Sequence, residues 1–143
     1  MTESQEQHYV LEEQVGYLLR LANQRHLSIF AEHIVDGLTS VQFSTLFRLR
    51  KEAGPMSQNA LGRLVGMDAA TTKGVVSRLI SRGLIQMEKD PTDKRRYMLS
   101  TTQKGRALIE DTLPRVRQIS EDTLAPLTPH EAKQFVALLK KLT

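Results

Sequence analysis

Apolar residues along this chain of 143 residues recur mostly at the helical period, with one interruption past its middle. From Val10 to about His33, the positions of Leu11, Val15, Leu18, Ala22, Ile29 and Phe30 predict one long amphipathic helix. Asp36-Gly37 breaks it. Thr39 followed three residues later by Gln42 has the form of a capping box, opening a second helix whose buried side is Phe43, Leu46, Phe47 and Leu49. Gly54-Pro55 ends that helix. Ser57 caps a short third helix carrying Leu61, Leu64 and Val65, and Gly66 closes it. Asp68 caps a fourth that runs to about Arg82, with Gly83 placed for a left-handed closing residue. Leu84 to Glu88 and Arg96 to Ser100 then read as two short strands, joined by the turn chemistry of Asp90-Pro91-Thr92-Asp93. Thr102 caps a fifth helix, which Pro114 is expected to kink or divide. Thr128-Pro129-His130-Glu131 starts a last helix bearing Phe135, Val136, Leu138, Leu139 and Leu142. The predicted fold class is mainly α with a small β-hairpin, in the order α-α-α-α-β-β-α-α.

Composition narrows the picture. Aromatic residues make up only 5% and Trp is absent, so the core must rest on Leu, Val, Ile and Met. Much of the apolar content lies at the two ends of the chain, more than a small monomer can bury, which predicts an oligomer. The absence of Cys excludes disulfides, thiolate metal sites and thiol nucleophiles. No run approaches the roughly 20 apolar residues of a membrane span, and Met1 to Gln7 is too polar for a signal peptide, so a cytoplasmic protein with no membrane partner is expected. The net charge of +4 is unevenly spread. Residues 50–106 hold 12 Lys and Arg against 5 Asp and Glu, a surplus of seven, while the remainder is three short of neutral. A basic middle between acidic ends is the footprint of a nucleic-acid-binding segment.

The segment from Gln58 to Leu79 has the spacing of a helix-turn-helix. Leu61 and Val65 line the inner face of its first helix, Thr72, Val75, Val76 and Leu79 that of the second, and Gly62 suits a close crossing. The opposite face of the second helix holds Ala70, Lys73, Gly74, Ser77, Arg78 and Ser81. A mid-helix Gly costs roughly 1 kcal/mol against Ala, so Gly74 asks for a reason, and close approach to another surface is one. A slim face with hydroxyl groups and long basic side chains suits a major groove. The hairpin tip, Lys89 to Arg96, suits the DNA backbone or the minor groove, and Asp93 is placed to hold Arg95 or Arg96 extended.

These motifs resemble the MarR family of winged-helix regulators over nearly the whole chain. The pattern is carried by Leu38-Thr39-Ser40-Val41-Gln42-Phe43, by Ser77-Arg78-Leu79-Ile80-Ser81-Arg82-Gly83-Leu84-Ile85, by Asp90-Pro91-Thr92-Asp93-Lys94-Arg95 and by Thr102-Gln103-Lys104-Gly105. Thr101 departs from it, standing where the family usually has Leu. The resemblance implies one MarR-type domain over 1–143, with a winged helix-turn-helix lobe at 38–102 and dimerisation helices at 8–33 and 103–143. It implies a homodimer on a pseudo-palindromic operator, in most relatives a repressor released by a small ligand. Gly16-Tyr17-Leu18-Leu19-Arg20 and Leu124-Ala125-Pro126-Leu127 are similar to a subgroup that controls the breakdown of aromatic carboxylates.

On this reading Thr71, Lys73, Ser77 and Arg78 face the major groove of double-stranded DNA. Ser57 and Gln58 meet phosphates at a helix N-terminus, and Lys94, Arg95 and Arg96 are the wing contacts, with Asp93 as support. The effector candidates are Tyr17, Arg20, Phe43 and Phe47, where the first, second and fifth helices are expected to converge; Arg20 suits a carboxylate and the rings a flat ligand. No cofactor is expected. His26 and His33, seven apart, share a helix face, but no cluster has zinc-site spacing and no metal site is expected. The chain lacks a Gly-rich phosphate loop, G-x-S-x-G and H-E-x-x-H, which argues against an enzyme. The competing function is a winged helix used for protein–protein assembly, and the basic middle segment weighs against it.

Overall fold

In a computed structural model of the chain, residues 3–33, 37–52 and 54–143 are described. The elements run α1 (Glu3–His8), a short 3-10 turn (Leu11–Glu13), α2 (Val15–His33), α3 (Ser40–Lys51), β1 (Met56–Ser57), α4 (Gln58–Val65), α5 (Ala69–Ser81), β2 (Ile85–Lys89), β3 (Tyr97–Thr101), α6 (Gln103–Leu124) and α7 (Pro129–Lys141). The architecture is mainly helical with a hairpin wing. It adds α1 and β1 to the predicted order, and both strands of the hairpin begin one residue later than the alternation suggests. The break expected at Asp36 falls outside the described residues.

Two expectations need correction. The helix predicted from Val10 starts instead at Val15, because Val10 and Gln14 both hold extended backbone on either side of the 3-10 turn. The Gln14 side-chain amide donates to the Val10 carbonyl, and the Gln14 carbonyl accepts the N–H of Leu18. The second concerns division of the fifth helix, one of the two outcomes expected at Pro114: α6 runs unbroken from Gln103 to Leu124. Proline cannot donate to the carbonyl four residues earlier, but both Pro114 and Glu110 are exposed, so water can satisfy that group.

The chain forms two compact units, one of residues 1–33 with 117–143, the other of residues 34–116. The division falls at Arg117, within α6.

The 34–116 unit has a closed core. Leu46, Leu61, Leu79, Leu84, Ile85 and Leu99 are all buried, contributed by α3, α4, α5, the turn that follows it and both hairpin strands. Its helix starts follow the sequence: Thr39 and Gln42 close a reciprocal capping box, Ser57 accepts from the N–H of Ala60, and Asp68 from that of Thr71. Gly62 lies where α4 crosses α5; a β-carbon there would stand 2.5 Å from the Thr72 hydroxyl. Gly83, at φ 72°, closes α5, with its N–H on the Ile80 carbonyl and that of Leu84 on the Leu79 carbonyl. The same turn is pinned to the start of α6. The Thr102 hydroxyl donates to the Gly83 carbonyl, Lys104 Nζ to that of Arg82, and a β-carbon on Gly105 would collide with the Leu84 carbonyl.

The sheet is antiparallel, in the order β1-β3-β2. Met56 pairs with Leu99 and Ser57 with Met98, so β1 straps the segment entering α4 to the wing.

In the terminal unit, α2 is tied to the end of α6. Arg25 donates to the carbonyls of Asp122 and Thr123, cations being favoured at a helix C-terminus. His26 Nδ1 lies 2.9 Å from the Thr123 hydroxyl, and His33 Nε2 donates to the Asp122 carboxylate at 2.7 Å. Donation from Gln118, then from His33, holds the Asp122 carboxyl below its usual range. Thr128 and Glu131 close the second capping box, at α7.

Candidate nucleic-acid interface

The helix-turn-helix is α4 and α5, joined by Gly66 in the left-handed conformation. Thr72, Val76 and Leu79 of α5 are buried, whereas Thr71, Lys73, Gly74, Ser77 and Arg78 are exposed. The inward set leaves four of the predicted reading residues on one solvent-facing side of the helix. Asp68 fixes where that helix begins: it accepts the Thr71 N–H at 2.7 Å, a bond that pulls its carboxyl below the usual range.

The wing is built by local carboxylates. Asp93 Oδ1 accepts the backbone N–H of Arg95 at 3.0 Å and its side-chain Nε at 3.3 Å. The guanidinium therefore leaves the turn in a set direction while the Arg95 side chain stays 92% exposed. Asp93 pairs with Arg95; Arg96 instead donates its N–H to the Asp93 carbonyl and accepts from Asp90. Asp90 in turn accepts the Thr92 N–H and hydroxyl, which lower its carboxyl, with the Arg96 charge adding to the effect. Lys94 is exposed beside them.

Between the N-terminus of α4 and the wing lies an open groove of about 550 Å³. It brings Ser57 and Gln58 together with Arg95 and Arg96, four predicted contacts from sequence positions nearly forty residues apart. The β1 strap explains the juxtaposition, since it hydrogen-bonds the Ser57 segment to β3. The groove also holds Asn59, Arg63 and Tyr97, which the sequence reading does not single out. Asn59 and Arg63 are four apart on α4 and thus share one helical face, a signal that gains meaning only once the wing lies opposite. A groove with several cations and free helix N–H groups suits a phosphodiester backbone.

The effector candidates fall into two pairs. Arg20 lies over the Tyr17 ring, 5.5 Å from its centroid, in the terminal unit. Phe43 and Phe47 stack at 5.9 Å in the 34–116 unit, where Phe43 is buried.

Comparison with known proteins places these features in a family. The MarR family profile matches residues 38–97. The chain is 43% identical over 135 residues to the HTH-type transcriptional repressor NicR of Pseudomonas putida, covering 94% of this chain and 85% of NicR. Among solved structures it is similar to BpsR of Bordetella bronchiseptica, described for regulation of its DNA binding by 6-hydroxynicotinic acid, with a TM-score of 0.87, 40% identity and coverage of 94% and 96%. It is also similar to the PcaV transcriptional regulator of Streptomyces coelicolor in complex with its natural ligand, with a TM-score of 0.87, 32% identity and 94% coverage of each chain. This chain belongs to the MarR family, and so to the transcription regulators rather than the enzymes.

Proposed function

We propose that this protein is a repressor that binds a pseudo-palindromic operator as a homodimer in the cytoplasm and is released by an aromatic carboxylate of the hydroxynicotinate kind. The observation that carries the DNA-binding part is the exposed basic surface of the 34–116 unit: Lys73, Ser77 and Arg78 on α5, with Arg95 held out by Asp93. In this account α5 enters the major groove, the cleft between α4 and the wing takes the backbone through Ser57, Gln58, Lys94 and Arg96, and Arg95 enters the minor groove. Exposed apolar side chains in the terminal unit, among them Val15, Leu18, Phe135, Leu138 and Leu142, supply the dimer interface.

Similarity to BpsR, whose regulator is 6-hydroxynicotinic acid, supports the ligand class. Arg20 and Tyr17 offer a matching pair, a guanidinium for the carboxylate and a ring for the heterocycle; Phe43 and Phe47 remain the ring candidates of the other unit. To act, the ligand must favour a spacing of the two recognition helices that fits the half-sites badly, because equal affinity for both states shifts nothing.

The test is fluorescence anisotropy on the duplex upstream of the protein's own gene, with and without 6-hydroxynicotinic acid. Binding that the acid abolishes is the expected result. Binding indifferent to it and to related pyridine and benzene carboxylates contradicts the ligand class, and a charge-reversed Arg20 variant that is still released contradicts the role of Arg20.

A further inference from the structure

Four glycines lie inside the helices of this chain, and the structure accounts for three. Gly62 and Gly105 have no room for a β-carbon, the first against Thr72 and the second against the Leu84 carbonyl. Gly16 is the second residue of α2, in a first turn whose N–H groups lack intrahelical partners, so a helix-weakening residue matters little there. Gly74 fits neither explanation. It lies at the sixth of thirteen positions of α5, has ordinary helical backbone, and nothing stands within 4 Å of where its β-carbon would be. Alanine would fit there and strengthen the helix.

The free protomer thus gives no reason for Gly74, and the reason must come from a surface that approaches α5 from outside. Lys73, Ser77 and Arg78 share that exposed side, so the surface is polyanionic and presents hydrogen-bonding edges. We infer that Gly74 is a specificity-determining position: the bare backbone there lets α5 seat against the base edges at a depth that a methyl group would prevent. This rests on the DNA-reading function proposed above. Phosphate contacts, made by longer side chains around the rim, tolerate a small outward shift, whereas hydrogen bonds to base edges do not. A side chain at 74 should therefore erode discrimination between sequences and leave general DNA affinity in place.

The test uses the full-length protein. The wild type first selects its preferred duplex from a pool with a randomised centre; affinities of wild type, G74A and G74L are then measured at one fixed salt concentration for that duplex and for a scrambled one. The expected result is at least a tenfold loss by G74A on the selected duplex, a larger loss by G74L, and changes under twofold on the scrambled duplex. The thermal midpoint of G74A should rise by about 2–4 °C. G74A within twofold of wild type on the selected duplex overturns the inference and leaves DNA reading intact. Equal losses on both duplexes, or a lowered midpoint, also overturn it, since the methyl then acts on backbone contacts or on the fold. A wild type that enriches no sequence removes the DNA-reading function and the inference with it.

Discussion

The two units of this chain solve the burial problem in opposite ways. In residues 34–116, three helices and the hairpin enclose leucines that are almost fully out of water, Leu46, Leu61, Leu79 and Leu99 among them. The terminal unit holds the nineteen-residue α2, yet leaves Val15 67%, Leu138 58% and Leu142 69% exposed. Burial of apolar surface is the main favourable term in folding and association, so the first unit carries its own core while the second offers the apolar surface at which we propose that a partner copy packs. The division suits the function proposed above, in which the 34–116 unit reads DNA and the terminal unit packs against another copy.

The contrast can be broken at its strongest point first. Leu61→Ala should remove about 2–5 kcal/mol of unfolding free energy, read by urea denaturation, whereas Leu142→Ala should change protomer stability by less than about 0.5 kcal/mol. Similar costs at the two positions would erase the distinction between the units.

Leu138→Glu should raise the dimer dissociation constant by about 100-fold, roughly 2.7 kcal/mol, by placing a carboxylate in an apolar interface. Sedimentation velocity reads it, with helical circular dichroism unchanged. A dimer of undiminished stability would place the interface elsewhere.

Arg95→Ala should weaken operator binding about tenfold, close to 1.4 kcal/mol, with dimerisation intact. Asp93→Ala should lose about threefold, since it frees the guanidinium without removing it. An Asp93→Ala loss as large as that of Arg95→Ala would mean that Asp93 builds the whole tip and does not merely aim one side chain.

The smallest effect is on pH dependence. The Asp122 carboxyl is held below the usual carboxylate range in the folded protein, chiefly because Gln118 and then His33 donate to it. A depressed folded value contributes stability that is present above the unfolded value and lost as pH falls through the folded one. Asp122→Asn should therefore flatten the fall in thermal midpoint between about pH 5 and pH 3. An unchanged acid slope would assign it to the other lowered carboxylates, Asp68, Asp90 and Glu131, which are held down by the same kind of donation.

What could be read in the sequence follows from which interactions are local. The capping boxes at Thr39 and Thr128, the closing glycines 66 and 83, and the Asp93–Arg95 pair each involve residues within a few positions, and each is present in the structure. The strand at Met56–Ser57 was not legible, because it exists only through pairing with Leu99 and Met98, more than forty residues on. The groove shared by Arg63, Tyr97 and Arg95 was hidden for the same reason. Whether Pro114 would divide its helix could not be read from propensity, which treats every helix interior alike, while here the freed carbonyl of Glu110 belongs to an exposed residue. The face of α5 was readable because its buried and exposed positions alternate at the helical period, but the empty space beside Gly74 required coordinates.

The most direct measurement is the salt dependence of wild-type binding to the duplex upstream of its own gene, beside a random duplex of equal length. If the 34–116 unit grips DNA through the wing and the groove in both halves of a dimer, the log–log slope against salt should be about −4 or steeper, as neutralising four or more phosphates requires. The preference for the upstream duplex should persist as salt rises. A shallow slope with no preference between duplexes would contradict the account and leave the basic face of this unit to a protein partner.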